Sequence, residues 1–482
     1  MRTTGINKFL LTVFSLLLLC NFIFAQDLDL PITTTSDEAR NIFKEGRAYL
    51  ENVHVEKAAE LFDEAIKLDP NFALAYLYRA GTFVGGFNVS REHLNKAVKL
   101  KKNVTGGEKN LILYQQAVNN GDQVRQKMFL DNLIVAFPYN KRIQQLAGNY
   151  YFGISNYEKA LKHLKKSTEI DENFAPSYNM LGYVELSLEN YDAAEKAFIK
   201  YIELMPEHPN PYDSYAELLL KRGRYDESIA QYKKAFEKDN TFTAALIGIG
   251  HNHIFKGEFD KGREFYDKGL QNASSINQKL GAMYWTATSY IHEGDAENAM
   301  KIFAKRKNIA KNEGLTTTVI GATNLEGFIL TELGQPEKGM KKFKAAAKLI
   351  DSSNLPEKIK TNLTLNNRLN ICYSLTANNK ISDAEKEAMA CEQMVEKRSN
   401  PNEIQNLHGT LALLEMKKGN YEEAINHFEK TDLTNSPYNM QKLAMAYEKM
   451  GNTQMANQYF NKVKEANQNG IGYALIRQSS SD

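Results

Sequence analysis

Small residues recur along this chain at a spacing of 34. Ala58, Ala160, Ala194, Ser228 and Gly262 are separated by 102, 34, 34 and 34 positions. A second series, Gly46, Ala80, Gly148, Gly182, Ala216 and Gly250, keeps the same step or twice it. Two registers repeating together describe one structural unit copied along the chain, and such a unit buries its apolar face only against its neighbours. Composition agrees with packed structure: 43% of the 482 residues are hydrophobic and 24% charged, with 29 Gly and 11 Pro. Collagen-like, low-complexity and wholly disordered chains are excluded on those proportions.

In the first unit Gly46, Tyr49, Ala58, Phe62, Ala65 and Pro70 stand in the order small, aromatic, Ala, Phe, Ala, Pro. In the fifth, Tyr178, Leu181, Gly182, Ala194, Phe198 and Pro206 do the same. On these residues the chain resembles the tetratricopeptide repeat family over most of residues 37–465. The resemblance implies an all-α fold, a right-handed α-solenoid of about twelve antiparallel helical hairpins. Small residues then sit where the two helix axes come closest, Phe and Tyr fill the gap to the next hairpin, and Pro70 and Pro206 stop the second helix. The runs Asn190-Tyr191-Asp192, Gly223-Arg224-Tyr225-Asp226, Gly257-Glu258-Phe259-Asp260 and Gly419-Asn420-Tyr421-Glu422 read as the turns inside hairpins. Gly or Asn ends one helix there, and the acid begins the next.

The pattern weakens in two places. Residues 73–140 keep the phase but put Glu92, Lys99, Tyr114 and Gln126 where small residues belong. Gly85-Gly86 and Gly106-Gly107 predict distorted loops in that stretch. After residue 276 the period loosens, with Ala299, Gly339, Ala384, Ala424 and Ala456 separated by 40, 45, 40 and 32. The expected organisation is a signal peptide over 1–25, a short linker over 26–36 and a regular array over 37–276. A looser array over 277–465 and a C-terminal tail over 466–482 follow.

Arg2 and Lys8 precede an apolar run from Phe9 to Phe24, which ends at Ala25 before Gln26-Asp27. This is the pattern of a cleaved secretory signal, since the run is shorter than the roughly 20 residues that span a bilayer. The expected localisation is therefore export, to a periplasm or beyond, and the signal is similar to those of bacterial exported proteins. Acylation at Cys20 is disfavoured by the bulky Leu19 before it. Lys and Arg total 60 against 58 acids, and removing Arg2 and Lys8 leaves 58 against 58. A balanced chain has no field to gather phosphates, so nucleic acid is not the expected partner.

Catalytic patterns are missing: there is no phosphate loop, no G-x-S-x-G, no H-E-x-x-H and no C-x-x-C. No catalytic residue, cofactor site or metal site is assigned, and the chain reads as non-enzymatic. His251 and His253 are two apart on a helix and point to different faces. Asp213 and Glu217 share a face at i, i+4, but nothing near them in sequence suggests a raised carboxyl pKa, so they read as solvated. Cys372 and Cys391 are expected too far apart to bridge, at about 10 Å along an antiparallel pair. Sequons at Asn88, Asn103, Asn272 and Asn362 are compatible with chance in a chain this rich in Asn.

The resemblance implies a protein-interaction scaffold whose first helices line a concave groove. Its groove positions fall on Asn149, Asn179, Tyr183, Asp213, Glu217, His251 and Tyr284, with Trp285 adjacent. Gln145, Thr288, Asn324 and Phe328 occupy further positions of the same kind. Such a polar and aromatic stripe suits a protein or peptide partner. A carboxylate clamp is not supported, because Gln145, Asn210 and Ser214 stand where cations would be needed. The alternatives are a surface component that binds glycan or nutrient, stacked on Tyr284 and Trp285, and an enzyme with an unrecognised site.

Overall fold

The computed structural model describes residues 29–479. The signal peptide and Cys20 therefore lie outside the described residues. The described residues form α-helices without a strand. The first eight are α1 (Asp37–Glu51), α2 (Val55–Leu68), α3 (Ala73–Gly81), α4 (Gly86–Leu100), α5 (Gly106–Asn120), α6 (Gln123–Ala136), α7 (Lys141–Gly153) and α8 (Tyr157–Ile170). Next come α9 (Ala175–Ser187), α10 (Tyr191–Leu204), α11 (Pro209–Lys221), α12 (Tyr225–Lys238), α13 (Thr243–Phe255), α14 (Phe259–Asn272), α15 (Ile276–Glu293) and α16 (Ala296–Asn312). The remainder are α17 (Thr316–Glu332), α18 (Pro336–Ser352), α19 (Glu357–Ala377), α20 (Ile381–Glu396), α21 (Pro401–Lys418), α22 (Tyr421–Phe428), α23 (Pro437–Lys449), α24 (Thr453–Glu465) and α25 (Ile471–Ser479). Helices α1 to α24 pair in sequence as hairpins of a solenoid.

Packing at the small positions explains their repetition. A Cβ on Gly182 would lie 2.5 Å from the Phe198 ring, and one on Gly250 would lie 2.4 Å from Tyr266. Those are distances no real Cβ tolerates, so a larger residue would push the paired helices apart. Seven residues after the small position the chain turns left-handed, at Gly223 (φ 71°) and Gly257 (φ 80°). Glycine adopts that conformation without a Cβ clash and ends the helix there. In the turn read as Asn190-Tyr191-Asp192, the left-handed residue is Glu189 (φ 60°), and Asn190 is the N-cap of α10.

The chain divides into two compact units between Leu181 and Gly182, not at the change of period near Asn277. In the first unit, the expected linker is packed. Leu30 joins the core around Phe43, Phe62 and Phe72. The backbone amide of Thr33 donates to the Glu108 carboxylate at 2.8 Å, and Thr34 donates to Asp69 at 2.6 Å. Glu108 also completes a capping box with Thr105, satisfying amides at the start of α5. The misfit pair of the divergent stretch meets across this hairpin, Gln126 Nε2 donating to the Tyr114 hydroxyl at 3.2 Å.

In the second unit, the expected tail folds back. Tyr473, Ala474 and Ile476 of α25 are buried. They pack with Leu220 of α11, Phe255 of α13, Met440 of α23, and Ala287 and Ile291 of α15. Tyr225 donates to Asn467 Oδ1 at 2.6 Å, and Arg477 donates to the Phe255 carbonyl at 2.9 Å. This return ties the regular repeats after Gly182 to the looser ones after Asn277. A boundary at 277 would cut through those contacts, which is the physical reason the change of period is not a division. Cys372 and Cys391 are free, buried thiols, and burial pushes both up to about 12.

Candidate binding cavity

Three successive first helices of the second unit, α11, α13 and α15, wall a cavity of about 390 Å³. Asp213 and Glu217 come from α11, Ile247, Gly248 and His251 from α13, and Gln278 and Trp285 from α15. Tyr232 of α12 and Asn469, from the segment before α25, complete it. Asp213 and Glu217 reach the same space because positions four apart share a helix face. Among the expected groove residues, the fold thus gathers Asp213, Glu217, His251 and Trp285. Tyr183 is held one step back, its hydroxyl donating to Glu217 Oε2 at 2.6 Å with Ser214 Oγ at 3.1 Å.

Tyr284 does not line this cavity. It packs against Phe303 at 5.9 Å and joins the apolar cluster that contains Ala474 of α25. Tyr284 and Trp285 meet edge to face at 4.8 Å and 77°, so they form no flat two-ring platform. Asn149 and Asn179 belong to the first unit.

Electrostatics sets this cavity apart from the solvated face expected for its acids. Burial, with Glu217 next to it, pushes Asp213 up to about 8. Burial also raises Glu217, partly opposed by the hydrogen bond from Tyr183. Glu217 is itself exposed, although protein crowds its surroundings. The open mouth admits water, whose screening tempers the cost of that second charge. No Lys or Arg lines the cavity beside either carboxyl. His251 is driven down to about 3 by burial and by His292, so it stays neutral. Its Nδ1 lies 2.7 Å from the Tyr266 hydroxyl, and its ring meets Trp285 edge-on at 4.5 Å.

Tyr232 was legible only as a packing residue. It falls 34 after Phe198 and 34 before Tyr266, in the aromatic series of the second helices. A hydroxyl in a series that elsewhere holds Phe is the available signal, because a buried phenol needs a partner. Tyr266 finds His251, whereas Tyr232, only 2% exposed, has no hydrogen-bond partner among the described residues. Gly248 makes its placement possible, since a Cβ there would lie 2.2 Å from the Tyr232 ring.

Two other histidine and acid groupings are structural. His253 Nδ1 lies 2.7 Å from Glu258, and Glu326 is held by Lys307 at 2.6 Å and Lys342 at 2.7 Å. Among the described residues no group of three His, Cys, Asp or Glu could hold a metal ion, and no helix is long and apolar enough to cross a membrane.

Tetratricopeptide repeat models match residues 43–84, 142–174, 179–241, 281–305 and 438–469. Anaphase-promoting complex subunit 3 of Schizosaccharomyces pombe is 23% identical over 186 residues, covering 38% of this chain and 27% of that protein. Hsp70-Hsp90 organizing protein 1 of Glycine max is 25% identical over 236 residues, covering 47% of this chain and 39% of that one. In both, the match spans well under two thirds of the relative's own length. The crystal structure of yeast Tom70 aligns with 88% of this chain and 96% of its own at 16% identity, with a TM-score of 0.44. Repeat models in both units, relatives named for the same repeat and the hairpin fold together support a place for this chain among tetratricopeptide-repeat proteins.

Proposed function

We propose that this chain is an exported, non-enzymatic interaction scaffold that takes a segment of a partner protein or peptide into the cavity between α11, α13 and α15. The observation that carries this reading is the convergence of Asp213, Glu217, His251 and Trp285 from three consecutive first helices on one open cavity. Polar groups beside an indole supply orientation and contact area for a peptide. The edge-on meeting of Tyr284 and Trp285 weighs against the glycan alternative, which needs a flat stacking face. Export rests on the N-terminal pattern alone, and the mature protein is expected to begin at Gln26 when its N-terminus is sequenced.

The binding test begins with partner capture from the native envelope and purification of the partner. Trp285→Ala is then expected to weaken binding by about 2 kcal/mol or more, as aromatic anchors at interface centres do. The exposed Lys196→Ala serves as control and leaves affinity unchanged. Equal affinity for Trp285→Ala and the control, with thermal midpoints intact, would move the binding surface elsewhere.

A further inference from the structure

We infer that the cavity receives a primary ammonium group, bound between the Asp213 and Glu217 carboxyls with Tyr232 and Trp285 completing its shell. This rests on the peptide-binding reading and names the chemistry of what enters. Two carboxyls line the cavity and no Lys or Arg does. Other enclosed acids of this unit have partners within the fold: buried Glu326 lies between Lys307 and Lys342, half-buried Glu195 is held by Arg224 at 2.9 Å and Arg222 at 3.2 Å, and buried Glu185 accepts from Asn190 at 2.9 Å. Asp213 has neither an ion pair nor a hydrogen bond among the described residues.

The second observation is independent of the acids. Tyr232 comes from a second helix, is 98% buried and lines the same cavity with its hydroxyl unpartnered among the described residues. The hydroxyl therefore opens on the cavity beside Asp213 and Glu217, where an entering group can take up its free hydrogen-bonding capacity. An ammonium carries three donors and no acceptor. Asp213 and Glu217 from α11 and the Tyr232 oxygen from α12 offer three acceptors to the three donors of an ammonium. Trp285 adds the aromatic face that most favours a nearby cation. An incoming phosphate or carboxylate would find no Lys or Arg on the lining to balance its charge, which disfavours anions. The amine is either a lysine side chain or the start of a chain, and both present the same group.

Trp285 is the only tryptophan in the chain, so emission excited above the tyrosine band reports this cavity alone. The probes are acetyl-Gly-Gly-Lys-Gly-Gly-amide, the same peptide with norleucine for lysine, and pentaglycine amide with a free amino terminus. At least one amine peptide is expected to shift the emission saturably, and whichever does so identifies lysine or the chain terminus as the source. The norleucine peptide, and either amine peptide on Asp213→Asn, are expected to bind at least about tenfold more weakly, as when one partner of a close charge pair is removed. Glu217→Gln, on the exposed side, gives a second variant should Asp213→Asn alter the thermal midpoint. Equal affinity for the norleucine peptide, unchanged binding by both folded variants, or no saturable shift with either amine would overturn the inference. If the amines fail while the purified partner still perturbs Trp285, the peptide-binding reading stands and only the ammonium assignment falls. If the partner leaves Trp285 unperturbed as well, both fall.

Discussion

The regular hairpins between Gly182 and Asn272 and the looser ones after Ile276 differ in length but share one internal ruler. Helices α11 to α14 hold 13 or 14 residues, whereas α15 to α21 hold between 16 and 21. Yet each hairpin keeps 12 residues from the small position of its first helix to that of its second: Gly182 to Ala194 and Gly250 to Gly262 in the regular stretch, Ala287 to Ala299, Gly327 to Gly339, Cys372 to Ala384 and Ala412 to Ala424 in the looser one. Four residues further an aromatic usually follows, as Phe198, Tyr266, Phe303, Phe343 and Phe428, all buried. The left-handed turn comes seven residues after the small position in both stretches, at Glu189 and Gly257, then at Gly294, Gly334, Asn379 and Gly419. The turned end of a hairpin is thus rigid in length, because seam and turn must close together. Its open end is free to change length, so the drift of the 34-residue period measures residues added or, between Ala424 and Ala456, removed at the open end and no change of fold.

The largest effect expected from this comparison comes from moving the seam against the turn. One glycine inserted after Gly334 should rotate Gly339 away from Gly327 and bury Phe343 against the wrong face, destabilising the second unit by about 3 kcal/mol or more. The same insertion in the open-end connector, after Ser353, should cost under about 1 kcal/mol. Chemical denaturation of the two variants compares them, and equal losses would break the distinction between rigid and free ends.

An intermediate effect is expected from removing residues 467–482. That deletion uncovers Leu220, Phe255, Ile291 and Met440, so the second unit should lose about 2 kcal/mol or more, read as a lower thermal midpoint. It would also sharpen the comparison, since without α25 the regular and looser stretches should melt in separable steps. A single unchanged transition would show that the return contributes nothing to their coupling.

The smallest effect concerns the turn. Val53 occupies the left-handed position of the first hairpin at φ 64°, where its branched Cβ is crowded, while Gly223 and Gly257 hold the equivalent place elsewhere. Val53→Gly is expected to stabilise the first unit by about 1 kcal/mol, measured as a raised denaturation midpoint. A loss of stability would mean that the half-exposed valine side chain contributes more than its backbone strain costs.

The sequence by itself determined the hairpin architecture, because its rules are local. A small residue under an aromatic, a turn residue seven positions on and an acid in the next first turn all act within one repeat and recur at readable spacing. Asp213, Glu217, His251 and Trp285 were legible as a concave stripe for the same reason. What only the tertiary structure decided is what those residues experience. Asp213 loses its water to walls supplied by α12, α13 and α15, and Asn469 arrives from the far end of the chain. Tyr232 belongs by period to the packing seam and becomes part of the cavity only because Gly248 lets its ring pass. Residues 466–479, without a repeat signature of their own, read as a tail until the packed helices that bury Tyr473 and Ile476 exist. Burial and charge compensation are sums over neighbours in space, and no spacing along the chain encodes which distant repeats will supply them.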